Sequence, residues 1–254
     1  MTVHVCNWAL AFVVAALFAV PVSAQPQADG IVPYRATYEI FEGNKRVGRS
    51  TVTLSYDVAS AQYRFESRSR FRGLLRLAAP RPVVERSDFV VAGGAIRPIM
   101  AAYEDGTRRG RRNITLKFDW SADVLAIEQR DGPGMIPLEP GTLDRGSVRV
   151  ALMRDLARGY GSGIHVLADP DVIRAYSYAV ESTQTIETAI GEIRAHRILQ
   201  RRDGSSRHTL FWLAPNLNFL SLRMEQHRQD RDAIAFVIES VEWLEDGDFS
   251  ARND

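Results

Sequence analysis

From Tyr34 to Trp243 the sequence runs as a succession of segments in which polar and apolar residues alternate, divided by short turns. That period of two constrains the fold more than any other feature, because it places apolar side chains on one face of a strand and polar ones on the other. In residues 34–40 the even positions are apolar or aromatic and the odd ones polar. Residues 113–120 put Ile114, Leu116, Phe118 and Trp120 on one side and Thr115, Lys117 and Asp119 on the other. Gly43-Asn44, Gly93-Gly94, Asp105-Gly106, Gly191-Glu192 and Asp203-Gly204 supply turns where the pattern breaks. The reading is mainly β: about eleven strands in a large curved antiparallel sheet or half-open barrel.

One segment departs from this period. Val148, Leu152 and Leu156 recur every fourth residue with Ala151 beside them, which predicts one main helix near residues 144–158. Thr142 or Asp144 opens it, Arg154 and Arg158 suit its C-terminal dipole, and Gly159 and Gly161 stop it.

The division of the chain follows. Residues 1–24 contain no Lys, Arg, Asp or Glu and include an unbroken apolar run of twelve, Ala9 to Val20. Twelve helical residues rise about 18 Å, too little for a hydrocarbon core of about 30 Å. Pro21 and then Val22-Ser23-Ala24 complete a signal peptide with cleavage after Ala24, although residues 1–8 lack a basic side chain. Residues 25–32 read as a flexible lead-in, 33–244 as a single β-rich domain and 245–254 as an acidic tail. The expected location is outside the cytoplasm, in a bacterial periplasm, with no membrane-spanning segment after cleavage. The single cysteine, Cys6, precedes the apolar run, so the processed chain has no thiol for a disulfide, a metal or a nucleophile. Formal net charge is +1, which gives no global field toward nucleic acid or membrane.

Chemical motifs are sparse. Gly43 to Ser50 resembles a phosphate-binding loop but has Arg49 where lysine is required, and Thr51 to Leu54 continues as strand instead of opening a helix. The histidines His165, His196, His208 and His227 have no metal-binding spacing, and no cofactor is implied. Asp169-Pro170-Asp171 lacks the glycine and closing glutamate of a calcium loop. A triad assembled from distant residues, such as Ser147, His208 and Asp119, has no motif behind it. Glu66 and Glu85 form an acid–base candidate but stand among Arg64, Arg68 and Arg86, their expected partners. Arg108, Arg109, Arg111 and Arg112 are the densest positive cluster, a candidate grip for anionic lipid groups or else a solvated hairpin tip.

Aromatic residues carry more information. Tyr38, Tyr63, Phe65, Phe118, Trp120, Tyr178 and Trp212 fall on predicted strands, and in a curled sheet they are candidates for a shared inner wall facing an apolar ligand. The predicted helix is placed to plug or lid that space.

Short matches in order along the chain carry a resemblance. They include Tyr38 with Gly48, Gly73-Leu74 followed by Glu85 to Phe89, Phe118-Asp119-Trp120, Thr142 to Arg145 with Ser147, Tyr176-Ser177-Tyr178 and Trp212 to Pro215. The chain resembles an uncharacterised bacterial envelope family, domain-of-unknown-function family three-one-zero-eight. That resemblance implies a periplasmic protein with a curved sheet similar to the half-barrels of lipoprotein carriers, and it brings no catalytic residues. Three functions stay open: a non-catalytic binder of a lipid-like ligand, an envelope assembly factor that binds other proteins, and a hydrolase with an unrecognised site.

Overall fold

The structure, a computed structural model, describes residues 30–169 and 172–245. The signal peptide, most of the lead-in, nearly all of the acidic tail, Cys6 and the Pro170-Asp171 pair lie outside the described residues. No described helix is long and apolar enough to cross a membrane.

Among the described residues fifteen strands form one sheet, more than the roughly eleven expected. The first half runs β1 (Tyr34–Glu42), β2 (Lys45–Asp57), β3 (Gln62–Phe71), β4 (Val83–Ala92), β5 (Ala95–Glu104), β6 (Ile114–Asp119), β7 (Val124–Gln129) and β8 (Gly134–Pro137). The second runs β9 (Thr142–Leu143), β10 (Ser162–Asp169), β11 (Val172–Thr188), β12 (Gly191–Arg201), β13 (His208–Ala214), β14 (Leu220–Arg228) and β15 (Arg231–Trp243). The extra strands include β7, β8 and β10, in stretches where Gly, Pro or an interrupted alternation hides the period. A short helix, α1 (Gly73–Ala78), joins β3 to β4, and the main helix, α2 (Ser147–Ala157), follows β9 inside the predicted span.

Every strand pairs antiparallel with its sequence neighbour except at three places. β1 pairs with β15, from Tyr34 opposite Trp243 to Glu42 opposite Ile234, so the two ends of the domain meet in the middle of the sheet. β9 pairs with β10 in parallel. β8 and β9, consecutive in the chain, do not pair and form the two edges of the sheet.

The open sheet nevertheless curls until its ends overlap. On β10, His165 and Leu167 point to one face and Ala168 to the other, as alternation requires. Ala168 is buried with Leu116, Phe118, Leu125 and Ile127 of β6 and β7, so the inner face of one end lies over the outer face of the other. The main core lies inside the curl, where Tyr34, Leu54, Tyr63, Phe65 and Phe89 of β1 to β4 meet Leu143, Val148 and Val150 of β9 and α2. A further cluster joins Leu152 and Leu156 of α2 to Tyr178, Ile198, Phe211 and Met224. Ile31, within the predicted lead-in, is also buried in the main core.

The stretch from Gly43 to Ser50 is the β1–β2 turn and the start of β2, and no helix follows it. Gly48 there serves packing. A Cβ on it would stand 2.5 Å from the backbone oxygen of Arg70 on β3. Gly48→Ala is expected to destabilise the fold by about 1–3 kcal/mol through the forced shift of that ladder. Gly161→Ala, where a Cβ meets nothing within 4 Å, is expected to change stability by less than about 0.5 kcal/mol. Urea unfolding of the two variants checks the contrast.

Candidate functional site: the space between the sheet and helix α2

Helix α2 sits against the concave face because its ends are tied there by polar contacts. Before its first turn, Asp144 accepts hydrogen bonds from the backbone N–H of Gly146 (2.8 Å) and of Ser147 (3.2 Å). The Ser147 hydroxyl accepts from the Asp144 N–H at 2.9 Å and donates to Asp144 Oδ2 at 2.8 Å. Ser87 on β4 donates to the same oxygen at 2.7 Å, which fastens the helix start to the wall. The approach is close enough to require glycine: a Cβ on Gly146 would lie 2.7 Å from Ser87 Cβ and 3.0 Å from Phe65 Cδ1. Burial pushes the Asp144 carboxyl above the usual carboxylate range, with the serine and backbone donors pulling it back.

The far end is held by Asp155. His165 Nε2 lies 2.9 Å from its Oδ2, and the Tyr178 hydroxyl donates to the same oxygen at 2.8 Å. The two rings stack at 4.7 Å. Gly163 leaves room for this, since a Cβ there would meet the Tyr178 ring at 2.8 Å. Burial raises the Asp155 carboxyl, but the His165 and Tyr178 hydrogen bonds outweigh it and hold the group below its ordinary value. Burial and the neighbouring Asp155 together raise the Tyr178 phenol.

Between these ties lies an apolar pocket lined by Tyr34, Tyr38, Phe65, Leu152, Met153, Phe211, Met224 and Phe236, with Arg149 of α2 as its charged group. The Arg149 guanidinium lies 3.1 Å from Glu85 Oε2 and 5.2 Å from the centre of the Phe65 ring. Glu85 Oε1 is buried without a hydrogen-bond partner. Tyr38 donates to the Ser221 carbonyl at 2.8 Å. Burial pushes the Tyr34 phenol up to about 12 and raises Tyr38 well above its ordinary value, so both stay protonated and neither serves as a base near neutral pH. The free volume is about 40 Å³, room for water but far below the roughly 300 Å³ of a small-molecule site.

The candidate aromatic residues do not share one wall. Tyr38 and Phe65 line the pocket. Tyr63 is in the adjoining core, stacked on Phe89 at 5.4 Å, and Tyr178 is in the cluster at the C-terminal half of α2. Phe118 and Trp120 belong to the separate core over β10. Trp212 must face the opposite way from its neighbour Phe211, which lines the pocket. Trp212 is buried and counts in the same core cluster as Tyr38, Tyr63 and Phe65, with the guanidinium groups of Arg197 (5.8 Å) and Arg223 (5.5 Å) over its ring. Tyr34 and Phe211, aromatic residues on predicted strands like the other candidates, also line the pocket. Sequence reasoning missed Arg149, Glu85 and Asp155 in these positions, because no local pattern marks them.

The other candidates separate too. Ser147 is bound to Asp144, Asp119 holds the turn at Ser121 and Ala122, and His208 stacks on His227. These three do not form a triad. Glu66 pairs with Arg68 and Arg86, and Arg64 with Asp88. The Arg108, Arg109, Arg111 and Arg112 side chains are exposed in the β5–β6 connection, away from the pocket. No group of three or more His, Cys, Asp or Glu among the described residues is placed to hold a metal.

This arrangement of curled sheet and inserted helix spans the region matched by one family model, "Protein of unknown function (DUF3108)", over residues 33–233. The chain belongs to that family. No curated protein matches it. Among solved structures, it is similar to a β-barrel-like protein of domain-of-unknown-function family DUF1849 from Brucella abortus. The TM-score is 0.53 at 12% identity, covering 84% of this chain and 98% of that one. Weaker likenesses are a protein described as exported with a YmcC-like fold from Bacteroides fragilis (TM-score 0.31, 10% identity, 82% and 95% covered) and one described as a lipoprotein from Parabacteroides distasonis (0.32, 9%, 84% and 96%). The Brucella likeness supports the DUF3108 chain's fold and does not extend to function.

The two aspartates that tie α2 in place have opposite pH signatures. Asp155 has a folded-state pKa below its unfolded value, so its contribution is present above the unfolded carboxylate pKa and is lost as pH falls through the folded one. Asp144 is raised, so its contribution is full below the unfolded pKa and is lost as pH rises through the folded one. Asp155→Asn is therefore expected to lower stability at neutral pH and flatten the acid-side loss. Asp144→Asn is expected to keep most neutral-pH stability, because an amide brings no charge to desolvate. Urea unfolding across the acid-to-neutral range measures both.

Proposed function

We propose that this chain is an exported, non-catalytic binder of a lipid-like apolar molecule, held between the concave wall and α2. The observation that carries this is the pocket lining: aromatic rings, leucine and methionine with one guanidinium, Arg149, at their edge. Methionine adapts its shape cheaply, and an arginine beside an apolar wall suits an acidic head group on an apolar tail. The present free volume holds no acyl chain, so α2 withdraws to admit one. Its polar ties lie near its ends, with Gly146 before it and Gly159, at φ +86°, after it, and Val148, Val150, Leu152 and Leu156 leave their apolar contacts when it moves. Export rests on the signal-peptide reading of residues 1–24.

The small free volume favours a second reading, a filled scaffold whose outer surface binds envelope proteins. Lipid uptake separates the two. Under the first, native mass spectrometry of the chain shows a lipid-sized adduct and a fluorescent fatty acid is taken up. Arg149→Gln is expected to weaken uptake of the fatty acid about tenfold and to leave a fluorescent fatty alcohol unaffected, while Met224→Arg blocks both. A folded chain with no adduct and no uptake rules out the lipid binder and leaves the scaffold.

A further inference from the structure

Helix α1 has no evident role in folding. Its sequence is Gly-Leu-Leu-Arg-Leu-Ala, and none of its residues is buried. Leu74 is 84% exposed and Leu77 79% exposed, the two most exposed large apolar side chains of the described residues. Three apart on one helix, they share a face. A single exposed leucine is ordinary, but an ordered helix that spends its apolar residues on solvent asks for a partner.

Its surroundings indicate which partner. From Arg70 to Pro82 there is no acidic residue, and Arg70, Arg72, Arg76 and Arg81 are all exposed. The β5–β6 connection with Arg108, Arg109, Arg111 and Arg112 lies at the same end of the sheet and touches this segment. The Arg81 N–H donates to the Gly106 carbonyl at 3.0 Å, and a Cβ on Gly106 would stand 2.5 Å from the Arg81 oxygen. That second loop is ordered. Asp105 accepts from Thr107 N–H (2.9 Å), the Thr107 hydroxyl (2.8 Å) and Arg112 N–H (3.1 Å), which occupies both carboxylate oxygens. Glu104 is the one exposed acid in that stretch.

We infer that this rim docks the protein on an anionic phospholipid bilayer, with Leu74 and Leu77 entering the acyl boundary and the two arginine-bearing loops lying against the phosphates. Charge complementarity selects the occupant. Exposed leucine face and ordered cations side by side match an interface that is apolar below and negative above. The rim lies outside the α2 pocket, so the inference stands apart from the ligand-binding reading, and a filled scaffold would dock equally well.

The test is sedimentation of residues 25–254, which contain every strand and the whole described core, with two kinds of vesicle. One is equal parts phosphatidylcholine and phosphatidylglycerol, the other phosphatidylcholine alone. The expected result is co-sedimentation with the anionic vesicles only, weakened by salt. Leu74→Ser with Leu77→Ser lowers the partition roughly tenfold or more. The joint change Arg108→Gln, Arg109→Gln, Arg111→Gln and Arg112→Gln does the same. Both variants alter only exposed side chains, and an unchanged urea midpoint confirms that they fold. No binding to the anionic vesicles, equal binding to both vesicle types, or binding that either folded variant leaves intact would overturn the inference. So would a leucine variant that loses nothing while soluble heparin strips the wild type from vesicles, because the rim would then be a general polyanion site.

Discussion

Everything in this molecule depends on the antiparallel pairing of β1 with β15. That ladder brings the two ends of the domain together in the middle of the sheet and leaves its free edges in the middle of the chain, at β8 and β9. The short connection between those edges then hands the chain directly to α2. A sheet of this width cannot stay flat with one apolar face, and the twist of its strands curls it. Because β8 and β9 do not pair, the curl overlaps, and the outer face of β10 becomes a second buried surface against β6 and β7.

The curl also creates an interior that side chains alone do not fill. Helix α2 occupies it, and its contacts are of two kinds. Apolar residues at Val148, Val150, Leu152 and Leu156 fill volume. Polar residues at Asp144, Ser147, Arg149 and Asp155 hold position through directional hydrogen bonds to Ser87, Glu85, His165 and Tyr178. Hydrogen-bonded anchors of this sort specify one seat for the helix but add little net stability, since each replaces bonds to water. The anchors fix where the helix sits, while its buried apolar residues hold it against the sheet.

Much of the sheet was legible because the signal is local. The alternation of Tyr34, Ala36, Tyr38 and Ile40, or of Ile114, Leu116 and Phe118, states a half-buried strand without any distant residue. The spacing of Val148, Leu152 and Leu156 states a helix in the same way. Strands β7, β8 and β10 were not legible. They are short, interrupted by glycine or proline, or close to an edge, where pairing with a neighbour decides what local preference leaves open. Residues 185–190 read as a strand separate from 172–181, whereas residues 182–188 continue β11 across a bulge between Val180 and Ser182.

The candidate site was legible only in part, for a geometric reason. Tyr38 and Phe65 could be named as wall residues, but grouping them with Phe118, Trp120 and Trp212 required knowing where the sheet turns over on itself. Adjacent residues of a strand always face opposite ways, so Phe211 and Trp212 could never line one surface. What the sequence by itself determined was the alternation, the helix and the turns, because each depends on residues within a few positions of one another. The tertiary structure alone decided which face of the curl each aromatic ring meets, that Arg149 stands over Phe65 beside Glu85, and that the β5–β6 connection touches the segment after α1 at Arg81. Those proximities join residues tens of positions apart, and only strand order and register bring them together.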